Sequence, residues 1–182
     1  MVDQYVTPND RGETSCIPDL GWVPRGTRKS QDGVDDTFAF YSYLEDRGRR
    51  VVNFPDRPSR IHTYGNSFTH CDQVSDEETW QEYLASHLQE PVRNFGVGGW
   101  SVYLAFRRMK VVEEKDPAKY LTLNVWSDDH YRNIDAWRSV RMNRVPRWTL
   151  PHLCVNVEGE TFEEIANPCP TLEDYYRMCD AD

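Results

Sequence analysis

No stretch of this sequence approaches the ~20 consecutive apolar residues that a membrane-crossing helix needs, so no membrane span is expected. Positive charge is also scarce: 21 Lys and Arg stand against 30 Asp and Glu, a formal charge of -9. That balance argues against a partner built on a phosphate backbone, which calls for a basic stripe, and no nucleic-acid partner is expected. The five cysteines (Cys16, Cys71, Cys154, Cys169, Cys179) are odd in number and include no Cys-x-x-Cys pair. A zinc knuckle or a dense disulfide framework is therefore disfavoured, although one bridge among the three late cysteines stays open. Met1–Asp10 is polar and has no apolar centre, so it does not read as a secretory signal. Free thiols in a reducing, cytoplasmic setting are the expectation. Repeats and low-complexity tracts are absent.

What is present suffices for one domain with a core: 182 residues, 38% hydrophobic and 13% aromatic. Residues 1–57 form a leading segment punctuated by turn residues: Pro8, Pro18-Asp19, Pro24-Arg25-Gly26 and Asp32-Gly33. Short β pieces are expected at Thr37–Tyr43 and Arg50–Phe54. From residue 58 strands and helices alternate. Arg60–Tyr64 reads as a strand ended by Gly65. Ser75-x-x-Glu78 has the form of a capping box and precedes a helix whose apolar face would be Trp80, Tyr83, Leu84 and Leu88. Pro91–Phe95 reads as a second strand. Val102, Phe106 and Met109 mark the face of a second helix, and Tyr120–Trp126 a third strand. Such alternation implies right-handed crossovers and a parallel sheet. Beyond Asp129 the pattern weakens, with helical signals only at Ile134–Met142 and Leu172–Met178. Arg132, Arg138, Arg141, Arg144 and Arg147 read as a solvated helix face.

Ligands of open parallel sheets bind beyond the carboxyl ends of the strands. Three unusual segments fall at those ends: Gly65-Asn66-Ser67-Phe68-Thr69-His70, Asn94-Phe95-Gly96-Val97-Gly98-Gly99 and Trp126-Ser127-Asp128-Asp129-His130. In the first, a tight turn can present the Ser67 hydroxyl, with backbone N–H groups at a helix N-terminus able to stabilise an oxyanion. The plainer alternative is that Ser67 or Thr69 caps the turn. The Gly-x-Ser-x-Gly elbow fails at Thr69. In the second, the glycines permit close backbone approach but form no dinucleotide fingerprint, and a plain strand-to-helix turn is the alternative. In the third, adjacent acidic residues rarely converge on one ion, so a hydrogen-bonding loop is favoured over a metal site. No metal and no cofactor are expected. Trp100, Tyr103 and Trp126 could line a pocket or belong to the core.

Together these segments resemble the conserved blocks of the SGNH/GDSL hydrolases. Ile61–Thr69 is similar to the block that opens with Gly-Asp-Ser, Asn94–Gly99 to the Asn-x-Gly-x-x-Gly block, and Trp126–Asp129 falls where Gly-x-Asn-Asp should lie. Asp19-Leu20-Gly21-Trp22-Val23-Pro24 looks like the lead-in of some bacterial members, implying a bacterial origin. The resemblance spans residues 18 to 135. It implies a three-layer α/β/α, flavodoxin-like parallel sheet preceded by a β-rich extension (1–57), and hydrolysis of acyl or acetyl esters of lipids, carbohydrates or small molecules. Ser67 matches the nucleophile and an oxyanion N–H, Gly99 the second oxyanion N–H, and Asp128 the amide-donor position.

The departures are specific. Asn66 replaces the usual Asp. Asp128 replaces an asparagine, so it would have to be protonated or turned away, or else Asn133 or a backbone group would take its role. The family's Asp-x-x-His block is missing: the residues three before His62, His70, His87, His130 and His152 are Ser59, Ser67, Leu84, Ser127 and Thr149. The family's last strand and helix have no counterpart either, which implies a domain incomplete at its C-terminus (58–182). His70 and His130 are the substitute bases to consider. The sequence thus leaves three readings: part of a serine esterase, a non-catalytic relative that binds without turnover, or an unrelated α/β domain. It does not define the oligomeric state.

Overall fold

The computed structural model describes residues 14–17, 19–30, 35, 37–142 and 149–179. Two antiparallel pairs lead the chain: β1 (Thr14–Ile17) with β2 (Gly21–Pro24), and β3 (Thr27–Ser30) with β4 (Ala39–Ser42). A parallel sheet follows, made of β5 (Ile61–Tyr64), β6 (Val92–Asn94) and β7 (Tyr120–Leu123) in the order β6-β5-β7. Helix α1 (Ser67–His70) leaves β5 directly; α2 (Trp80–Leu88) leads into β6; α3 (Val102–Glu113) connects β6 to β7. The chain is therefore mixed α/β, as the alternation of patterns predicts. Among the described residues no helix is long and apolar enough to cross a membrane.

Several expectations need correcting. Arg50–Phe54 is not a strand: the N–H groups of Val52 and Asn53 donate to the Glu82 carboxylate at 3.0 and 2.7 Å. The predicted apolar face of α2 points outward, with Trp80, Tyr83 and Leu88 exposed. The buried face is Gln81, Glu82 and Ala85. Polar anchoring outweighs hydrophobic patterning here, because Gln81 Nε2 donates to Thr63 Oγ1 (3.1 Å) and the Thr69 carbonyl (2.8 Å). The Ser75–Glu78 signal caps a single 3-10 turn (Asp76–Glu78), Glu78 accepting the Ser75 N–H at 2.9 Å, and Thr79 is the N-cap of α2. On α3, Phe106 is exposed while Tyr103, Leu104, Ala105 and Arg108 are buried. After β7 come a long 3-10 segment (Ser127–Ile134) and α4 (Arg138–Arg141). The stretch flanked by Pro151, Pro168 and Pro170, where the sequence pattern weakens, holds a hairpin of β8 (His152–Asn156) and β9 (Thr161–Ile165), before α5 (Leu172–Cys179).

The apolar core joins the leading segment to the sheet layer. Leu20 and Val23 cluster with Val97, Trp100, Leu104 and Leu150. Beside it lies a buried polar layer. Tyr64 stacks on Phe95 at 5.2 Å, and Arg108 covers Phe95 and Trp100 at 5.2 and 5.7 Å. Arg108 donates to the carbonyls of Phe95 (3.0 Å) and Arg47 (2.6 Å), and burial pushes its pKa down to about 10. At the amino end of β5, His62 Nδ1 and the Tyr64 hydroxyl both meet Glu113 Oε1, at 2.8 and 2.5 Å. Burial raises the Glu113 pKa, but the bonds from Tyr64, Ala118 and His62 outweigh it and leave it below the ordinary value.

Arg49 is the most heavily used of these groups. Its side chain is 1% exposed, and it donates to the carbonyls of His70 (2.6 Å), Cys71 (3.1 Å) and Val74 (3.2 Å) and to Asp76 Oδ1 (3.0 Å). Arg49→Met is expected to destabilise the fold by about 3–5 kcal/mol, because it strands Asp76 as a buried, uncompensated charge. Urea unfolding checks this; a loss near zero would show the pair to be dispensable.

Candidate active site

The carboxyl ends of the three parallel strands do converge. The Phe95 and Val97 N–H groups donate to the carbonyls of Thr63 and Gly65 at 2.9 and 3.0 Å, and Asn124 N–H to Tyr64 at 2.8 Å. A Cβ on Gly65 would run into the Thr69 hydroxyl, and one on Gly96 into the His70 backbone nitrogen. Both glycines are required by close packing rather than by φ. The glycine stretch and α1 therefore share one end of the sheet.

Ser67 is the first residue of α1, with Asn66 as N-cap accepting the Phe68 N–H at 2.9 Å. The capping role foreseen for Ser67 or Thr69 thus falls to Asn66. The Asn66 amide in turn donates to the Asp129 carboxylate, which pairs with Arg132 at 2.5 Å but without hydrogen-bond alignment. Ser67 itself is half-buried. No described residue hydrogen-bonds its hydroxyl or its N–H. It lines an open cleft of about 500 Å³ with Phe68, Cys71, Asp72, Gln73 and Val74. Phe68 meets Trp126 edge-on at 5.2 Å beside this cleft, whereas Trp100 and Tyr103 are core.

Gly99 adopts φ +79, and its carbonyl accepts from Arg138 at 2.7 Å. Its N–H has no acceptor among the described residues. Arg132 similarly donates to the Trp100 carbonyl at 3.3 Å. These two arginines are thus anchors of the glycine stretch rather than members of a solvated face, while Arg141 is exposed and pairs with Asp135. Arg144 and Arg147 lie outside the described residues, as does the side chain of Asp128; the Asp128 backbone sits in the 3-10 segment after β7. Asn133 Oδ1 accepts the Tyr103 N–H at 3.0 Å, so this amide caps α3.

Neither substitute base faces Ser67 unencumbered. His130 is exposed and reaches only Asn133 Nδ2, at 3.5 Å. His70 is buried, with both ring nitrogens engaged: Nδ1 with Asp72, Nε2 with the Tyr43 hydroxyl at 2.8 Å. Burial pushes the His70 pKa below its ordinary value, against the pull of Asp72. The neutral ring donates from Nδ1 to the carboxylate, so Nε2 accepts from Tyr43. Asp72, Tyr43 and Arg49 are site-forming residues that no sequence motif announces. Cys71, Cys154 and Cys169 are free thiols, and no group of three His, Cys, Asp or Glu among the described residues is placed to hold a metal ion.

Comparison of the chain with protein-family models, curated proteins and solved structures finds no match.

Two outcomes follow from this packing. Gly96→Ala is expected to cost about 1–3 kcal/mol, read by thermal unfolding. For His70, a folded pKa below the unfolded value means that the unfolded state binds the extra proton, so stability falls as pH drops below about 6.5. His70→Gln should flatten that slope in urea titrations between pH 7 and 5; an unchanged slope would contradict the assignment.

Proposed function

We propose that this chain carries the nucleophile-bearing part of an SGNH/GDSL-type serine ester hydrolase, with Ser67 as nucleophile and the Ser67 and Gly99 N–H groups as oxyanion donors. The observation that carries the reading is the position of Ser67. It opens a helix at the carboxyl end of the middle strand of a parallel sheet, with its hydroxyl and N–H unclaimed by any described residue and facing an open cleft. The order β6-β5-β7 is 2-1-3 in chain order, the beginning of a flavodoxin-like 2-1-3-4-5 sheet. That order supports the three-layer expectation. The buried Asn66–Asp129 bond supports pairing the first and third blocks, since it ties the residue before Ser67 to the one after Asp128. The substrates would be small acyl or acetyl esters, and Trp126 and Phe68 offer an apolar wall beside the cleft.

A second reading, a binding module that keeps the fold without turnover, is favoured by the engagement of both His70 nitrogens and by the lack of a hydrogen bond between His130 and a carboxylate among the described residues. Hydrolysis of p-nitrophenyl acetate separates the two. The hydrolase reading expects turnover that falls by about 10³-fold or more in Ser67→Ala. Activity equal in wild type and Ser67→Ala, or no activity in either, would favour the binding module.

A further inference from the structure

Among the described residues that line the Ser67 cleft, Asp72 carries the one carboxylate, and several unrelated contacts place it. Asp72 lies just past the end of α1, where Cys71 turns the chain with a left-handed φ of 64°. The Cys71 and Asp72 N–H groups both point at the Ser67 carbonyl, at 2.8 and 3.4 Å, which closes the helical turn and fixes Asp72 at its end. Arg49 fixes the same turn through the carbonyls of residues 70, 71 and 74. His70 Nδ1 holds Oδ1 of Asp72, and the Tyr43 hydroxyl holds His70 from behind while its ring stacks on the imidazole at 5.8 Å. The remaining oxygen, Oδ2, lies where a Cβ on Gly98 would come within 2.6 Å of it. It receives no hydrogen bond from any described residue. Gly98 is thus what leaves room for the carboxylate.

From this geometry we infer that Asp72 is the proton acceptor for Ser67, with His70 and Tyr43 as positioning residues that orient its carboxylate. The inference rests on the hydrolase reading above. The arrangement replaces a histidine base by a carboxylate held by a neutral histidine. As Ser67 Oγ bonds to the ester carbonyl carbon, its proton passes to Asp72 Oδ2. Collapse of the tetrahedral adduct breaks the bond to the alcohol oxygen, which takes the proton from Asp72 and leaves as the alcohol. Water then attacks the acyl-serine, giving its proton to Asp72. Release of the carboxylic acid returns that proton to Ser67. His70 keeps its Nδ1 proton throughout. The free Oδ2, the shared cleft and the absence of a second carboxylate among the described residues of its lining all favour this role over a purely structural one.

The test is the rate of acylation, read as the pre-steady-state release of p-nitrophenol from p-nitrophenyl acetate, with circular dichroism and a melting curve for each variant. Asp72→Asn keeps the shape and is expected to slow acylation about 100-fold or more, the size of a general-base contribution, without loss of fold. A rate within about threefold of wild type would overturn the inference while leaving the Ser67 reading intact. If Asp72→Asn does not fold, Asp72→Glu decides. It keeps the charge but shifts the carboxylate by one methylene, and is expected to slow acylation by about 10-fold or more; an unchanged rate overturns the inference. Wild-type protein that shows no Ser67-dependent acylation would overturn the hydrolase reading and this inference together, an outcome distinct from a wild-type burst that survives in the Asp72 variants.

Discussion

A buried guanidinium organises the site end of this molecule. Arg49 gives its protons to three backbone carbonyls and one carboxylate, and its cationic face lies 4.8 Å from the ring of Tyr41. A charge removed from water is tolerable only when paired and fully hydrogen-bonded, so residues 70–76 have little freedom to rearrange around it. Those residues carry Cys71, Asp72, Gln73 and Val74, which line the Ser67 cleft, and the buried His70 that holds Asp72. The site therefore depends on an arginine that contributes nothing to its lining.

The same principle recurs through the core. Arg108 sits between Phe95 and Trp100 and saturates carbonyls of two loops. Glu82 caps the 52–53 backbone, and Gln81 bridges β5 to α1. Each buried polar group serves several acceptors or donors at once, which makes the interface between sheet, helices and leading segment specific rather than merely apolar. The consequence is visible outside: Trp80, Tyr83 and Leu88 on α2 and Phe106 on α3 face solvent.

How far the sequence spoke follows from these same residues. β-branched and aromatic residues ended by Gly65, Asn94-Phe95-Gly96 and Tyr120–Leu123 are local signals, and the three parallel strands and their convergence were legible from them. The helices were legible as helices, but their buried faces were not. Periodicity treats Gln81, Glu82 and Arg108 as solvent-facing, while the tertiary network draws them in. The Ser67 turn was readable because its pattern is contiguous. Asp72 and Tyr43 were not, because their importance comes from meeting at His70, 27 residues beyond Tyr43 in sequence, and a missing Asp-x-x-His directs attention to histidines rather than to a carboxylate. The hairpin at 152–165 was hidden by the prolines around it.

In the proposed function Ser67 is an activated nucleophile at the cleft it lines with Asp72. Peptide mapping by mass spectrometry after treatment with a fluorophosphonate tests it most directly, since only an activated serine reacts. One adduct per chain, on Ser67, is expected. Unmodified protein, or an adduct on any other residue while Ser67 stays free, would contradict it.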